Sequence, residues 1–115
     1  MNRQRFINIT KTEFEFKLDW SCNQGNIKTT HNKLKNALGK FRKGNEKTSV
    51  EYFIMLEDGT IFMVYDYKYY GKESAYRDPN GEKEFSIGAK DKISGMKAIV
   101  FLDEILKEKE DETRI

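Results

Sequence analysis

The stretch SVEYFIMLEDGTIFMVYDYK, residues 49–68, decides the fold. Two apolar runs of strand length flank Asp58-Gly59, and such a dipeptide between alternating hydrophobics is a strong short-range signal for a β-hairpin. A two-residue type I′ turn sets Glu57 opposite Thr60. Pairing then runs outward through Leu56–Ile61, Ile54–Met63, Tyr52–Tyr65 and Val50–Tyr67 on one face. Met55–Phe62, Phe53–Val64 and Glu51–Asp66 fall on the other face. Both faces are apolar near the turn, so the hairpin requires cover on both sides. A bulge after Asp58 would slip this register by one residue and reverse the faces of one strand.

Upstream of the hairpin, Thr12 to Trp20 alternates strictly. Phe14, Phe16, Leu18 and Trp20 point one way and Glu13, Glu15, Lys17 and Asp19 the other, which predicts a half-buried strand. Cys22 to Asn26 contains Asn-Gln-Gly-Asn and predicts a turn. Thr29 or Thr30 can cap a following helix, where Leu34, Ala37, Leu38 and Phe41 make an apolar stripe and Gly44 a stop. His31, the only histidine, reads as a first-turn packing or solvent residue. Downstream, Lys72 to Lys83 reads as a polar loop, and Phe85-Ser86-Ile87 as a short strand closing at Gly88. A second helix runs from Asp91 to about Lys109. It carries one stripe of Ile93, Met96 and Val100 and a wider one of Ala98, Phe101, Leu102 and Ile105, which predicts burial on more than one side.

The expected class is therefore α+β, in the order β-α-β-β-β-α: an antiparallel sheet of about four strands with two amphipathic helices on one face. Residues 1–11 form an arm, 12–106 a single domain and 107–115 a charged tail. Two helices leave an aromatic sheet face for a partner.

Composition bounds the function. The chain has 115 residues, 35% of them charged and 37% hydrophobic. That suits one domain with a compact core and a densely charged surface. No apolar run reaches the roughly 20 residues of a membrane span, so no membrane partner is expected. No signal-peptide core follows the basic N-terminus, and a lone cysteine, Cys22, fits a reducing compartment; both point to the cytoplasm. Net charge is +2, but residues 1–48 hold eleven Lys/Arg against four Asp/Glu, whereas residues 49–115 hold ten against fifteen. This asymmetry suits an anion-binding face, and equally mutual attraction of the two halves.

Chemistry for catalysis is sparse. One histidine far in sequence from Cys22 selects no nucleophile–base pair, and one Cys with one His makes no zinc set. There is no phosphate-binding or dinucleotide loop and no EF-hand. No catalytic residue, metal site or cofactor is expected. Opposed Glu51 and Asp66 would repel, inviting a lysine, a partner's arginine or a divalent cation. Tyr67, Tyr69, Tyr70, Tyr76 and Arg77 form a cluster of rigid anchors suited to a protein partner. Lys33, Lys35, Lys40, Arg42 and Lys43 on and just after the predicted helix, together with Lys68 and Lys72 interleaved among these tyrosines, suit single-stranded nucleic acid as the alternative. Binding of small anionic nucleotides is a third class.

Several short motifs carry a resemblance: Gly25-Asn26-Ile27 before a helix ending at Phe41, then Asp58-Gly59-Thr60, Tyr65-Asp66-Tyr67-Lys68 and Phe85-Ser86-Ile87-Gly88. In this order, across residues 14 to 106, the chain resembles small accessory proteins of bacteriophages and large DNA viruses. Tyr67 stands where that family commonly has Trp, and Arg42 where Gly is common. The resemblance implies a viral origin and a small accessory role in host cytoplasm. Taken with the two-sided apolar hairpin and the tyrosine-rich exit, it leads to binding of a host or viral protein, such as a component of a host defence system, or of a second copy of the chain. It implies no catalytic residues.

Overall fold

A computed structural model describes residues 3–18, 21–44, 48–67, 69 and 71–113. The elements are β1 (Phe6–Asn8), α1 (Lys11–Lys17), β2 (Cys22–Thr29), α2 (His31–Leu38), β3 (Arg42–Lys43), β4 (Thr48–Leu56), β5 (Ile61–Tyr67), a 3₁₀ turn (Gly71–Glu73), β6 (Lys83–Ala89) and α3 (Lys92–Thr113). The class is α+β with an antiparallel sheet, as expected. The sheet nevertheless has six strands among the described residues, ordered β1-β4-β5-β6-β2 with β3 also on β4, and there are three α-helices rather than two.

The central hairpin forms, but in the slipped register. Leu56 N–H donates to the Thr60 carbonyl at 2.8 Å and Gly59 N–H to the Leu56 carbonyl at 2.9 Å, with Gly59 at φ +90°. The loop is therefore three residues long, and Gly59 occupies the left-handed position of a bulge rather than the second place of a type I′ turn. Asp58 Oδ1 accepts from Thr60 N–H, and hydrogen bonds from Thr60 hold the Asp58 carboxyl down at about 2. The pairs become Met55–Ile61, Ile54–Phe62, Phe53–Met63, Tyr52–Val64 and Glu51–Tyr65. Asp66 and Glu51 consequently lie on opposite faces, which removes the predicted repulsion.

The slip makes a clean division. Val50, Tyr52, Ile54 and Leu56 of β4 join Phe62 and Val64 of β5, Phe85 and Ile87 of β6 and Ile27 of β2 in the main core. Leu34 and Leu38 of α2 and Phe101, Leu102 and Ile105 of α3 cover them. Phe53, Met55, Ile61 and Met63 face the other way, against Ile9, Phe14 and Leu18. The hairpin is thus covered on both faces, in part by a helix where a strand was predicted.

That helix is α1. Thr10 Oγ1 accepts from Glu13 N–H and Glu13 Oε1 from Thr10 N–H, both at 3.0 Å: a reciprocal capping box. A 3.6-residue period buries Phe14 and Leu18 together and leaves Phe16, predicted on their side, 89% exposed. Asp19 and Trp20 lie outside the described residues. The predicted turn at Cys22–Asn26 is instead the start of β2. Its turn chemistry makes a bulge, where Asn23 Oδ1 accepts from Gly25 N–H at 2.8 Å between the paired segments. Thr30 caps α2, and Gly39 at φ +88° ends it before the predicted stop at Gly44. Within the N-terminal arm, residues 6–8 pair with β4 as an edge strand, and α3 continues through the predicted charged tail to Thr113.

Candidate functional site

Helix α3 begins at a cap: Asp91 Oδ1 accepts from Ser94 N–H at 2.8 Å. Gly95 allows the close approach of the helix to β2, since a Cβ there would stand 2.5 Å from that of Gln24. The wider of the two predicted stripes is buried: Ala98, Phe101, Leu102 and Ile105 all belong to the main core. The narrower one is not. Ile93 is 68% exposed, Met96 65% and Val100 58%, a correction to the expected burial on both sides. Helix α3 packs against β2, β5, β6 and α2, and these elements leave the narrower stripe exposed.

These three side chains line a groove of about 350 Å³ with Gln4, Lys97, Phe101 and Glu104. Its walls are fastened. Arg3 Nε donates to Glu108 Oε2 at 2.6 Å, with its guanidinium about 6 Å from the ring centres of Phe6 and Phe101. This pairing lowers the Glu108 carboxyl below the usual carboxylate range. Gln4 Nε2 donates to Asp58 Oδ2, which also meets Lys97 Nζ at 3.3 Å, so the arm, the hairpin tip and α3 meet along one rim. The result is a walled apolar surface with polar groups at its edges.

The predicted tyrosine cluster is only partly gathered. Tyr67 ends β5 opposite Thr48 rather than Val50, stacks edge-on against Tyr65 at 6.3 Å and is 42% exposed, on the face opposite to Tyr52 rather than the shared face that the unslipped register predicts. Tyr69 is half-buried; its hydroxyl accepts from Glu84 N–H at 3.2 Å and its ring lies 5.6 Å from Lys83 Nζ. Tyr76 is 46% exposed under Lys43 Nζ at 4.6 Å, and Arg77 beside it is exposed. Tyr70 and Lys68 lie outside the described residues.

Among the basic candidates, Lys33, Lys35, Lys40 and Lys72 are exposed. Lys33 stands 4.0 Å from Glu110, and Arg42 pairs with Glu51 at 3.3 Å. Glu51 also accepts from Thr48 Oγ1 at 2.7 Å, so its carboxylate is partnered within the fold although the predicted repulsion by Asp66 is absent. Among the described residues no group of three or more His, Cys, Asp or Glu could hold a metal ion, and no helix is long and apolar enough to cross a membrane.

Sequence reasoning passed over a buried polar knot. Asp66, fully buried, accepts from the N–H groups of Ser49 (2.7 Å), Val50 (3.0 Å) and Ala75 (3.0 Å) and from the Ser49 hydroxyl. It pins the loop after β5 to the start of β4. Nearby, His31 packs between Phe41 (4.7 Å) and Tyr52 (6.1 Å). Burial lowers its pKa; the Ala75 backbone opposes this, Lys35 adds to it and Asp66 opposes it. Its folded pKa lies below the unfolded value of about 6.5, so the unfolded chain binds the proton first. Stability is expected to fall as pH drops below about 6.5, by at most ~1.4 kcal/mol per pH unit from this group. Urea midpoints between pH 5 and 7 for the wild type and His31→Phe check it: the variant should lose that part of the acid slope, and identical slopes would contradict it.

Comparison with protein-family models, with curated proteins and with solved structures returned no match for this chain.

Proposed function

We propose that this chain is a non-enzymatic protein-binding domain, an accessory protein of the viral type that its sequence resembles, and that it grips a protein partner with the exposed face of α3. One observation carries the reading. Three large apolar side chains at helical spacing, each more than half exposed, form a single walled groove. Such a face is the signature of helix-mediated protein recognition, with anchors at i, i+3 and i+7. Asp66 anchors backbone and His31 packs in the core, so neither faces a cleft where a substrate could reach it. The nucleic-acid alternative has less support, because Arg42 and Lys33 already face carboxylates.

Capture of host or viral proteins by the immobilised chain, combined with light scattering across concentrations, tests the reading. Met96→Glu, which places a charge in the middle of the stripe, should abolish association while leaving the fold intact. Tyr67→Ala should retain it. A wild-type chain that is strictly monomeric and captures nothing would overturn the proposal. So would micromolar binding of single-stranded oligonucleotides with a steep salt dependence, in favour of phosphate recognition.

A further inference from the structure

We propose that the protein seated on the α3 stripe is a second copy of this chain, packed helix against helix in antiparallel orientation about a two-fold axis near Met96. This rests on the protein-binding reading above and names the partner.

The stripe is self-complementary. Met96 lies in its middle, with Ile93 on one side and Val100 on the other. A two-fold axis through that middle sets Ile93 of each copy beside Val100 of the other, and the two halves of the contact are then identical, as a symmetric dimer requires.

Asp91 is engaged as the helix cap and Lys97 faces Asp58 of its own chain, and the remaining charges next to the stripe favour one direction. Lys90 and Lys92 lie at its N-terminal end, and Asp103 and Glu104 at its C-terminal end. Lys90, Lys92 and Asp103 are exposed and Glu104 is half-buried on the groove wall. Asp103 follows Val100 by three residues and Met96 by seven, so it continues the same helical face. Antiparallel packing brings the lysines of one copy to the carboxylates of the other, twice per dimer. Parallel packing would set lysine against lysine and carboxylate against carboxylate. Past the Asp91 cap, the first turn carries no acidic residue. Lysines at that end oppose the helix's own dipole, and a partner's carboxylates relieve them. At 22 residues, α3 is about 33 Å long and spans the whole contact.

Sedimentation equilibrium of the full chain across concentrations, at low and physiological salt, tests the proposal. The 13.6 kDa chain should pass to twice its mass as concentration rises. Lys90→Glu with Lys92→Glu should weaken the dimer by about tenfold or more, and Asp103→Lys with Glu104→Lys likewise. All four reversals in one chain should restore it. Circular dichroism and melting curves of each variant separate lost association from lost folding. A dimer indifferent to both reversal pairs, or one not restored by their combination, would overturn the proposal. A wild type that stays monomeric also overturns it. If that monomer captures another protein and Met96→Glu abolishes the capture, the protein-binding reading stands and only the second copy is rejected. If it captures nothing, both fall.

Discussion

Asp66→Ala is expected to cost about 4 kcal/mol, a large share of the stability of an ordinary domain. The carboxylate is fully buried and takes three backbone N–H groups and one hydroxyl. Hydrogen bonds to a charged group are each worth about 1.5–3 kcal/mol, and truncation leaves the donors of Val50 and Ala75 buried without an acceptor. Asp66→Asn keeps the shape but must turn an amide N–H₂ toward donors, so it should cost less, about 2 kcal/mol. Urea melts of both variants check the order. A loss below about 1 kcal/mol for Asp66→Ala would show that the loop after β5 is not held in this way.

Tyr52→Ala is expected to cost a similar amount, about 4 kcal/mol, on the scale of buried aromatic truncations. Tyr52 is fully buried and stands within 6.1 Å of the ring centres of His31 and Phe41. Its hydroxyl has no hydrogen-bond partner among the described residues, and burial drives its pKa upward. Tyr52→Phe should therefore be neutral or stabilising by up to about 1 kcal/mol, since it removes an unpaired polar group. Tyr67→Ala is the contrast. That ring is 42% exposed and should cost no more than about 1 kcal/mol. Equal losses at positions 52 and 67 would contradict the slipped register, because only that register puts the two tyrosines on opposite faces.

The hairpin was legible because strand-length apolar runs and Asp58-Gly59 are local signals. Its register was not settled by them: Asp-Gly serves both a two-residue turn and a three-residue loop with Gly59 in the left-handed place. One residue of difference moved Asp66 into the core. Helix α1 was misread because Glu13 to Leu18 alternates as a strand does, yet Thr10 and Glu13 held the capping-box spacing that decides the matter. The edge strand β1 is three residues long, too short for periodicity to mark it, and it is fixed by pairing with a distant segment. The knot at Asp66 joins Ser49, Val50 and Ala75, whose approach no sequence spacing reveals. Both stripes of α3 were legible. Which of them stays exposed depends on what the other elements cover, and that is a property of the whole fold.

In the proposed complex the α3 face, rather than the tyrosine-rich segment after β5, meets the partner. Site-specific photo-crosslinking tests this, with a benzophenone side chain placed at Met96 in one variant and at Tyr76 in another, both exposed. Irradiation is predicted to give a discrete protein adduct from position 96 and none from position 76. An adduct from position 76, with position 96 silent, would contradict the account.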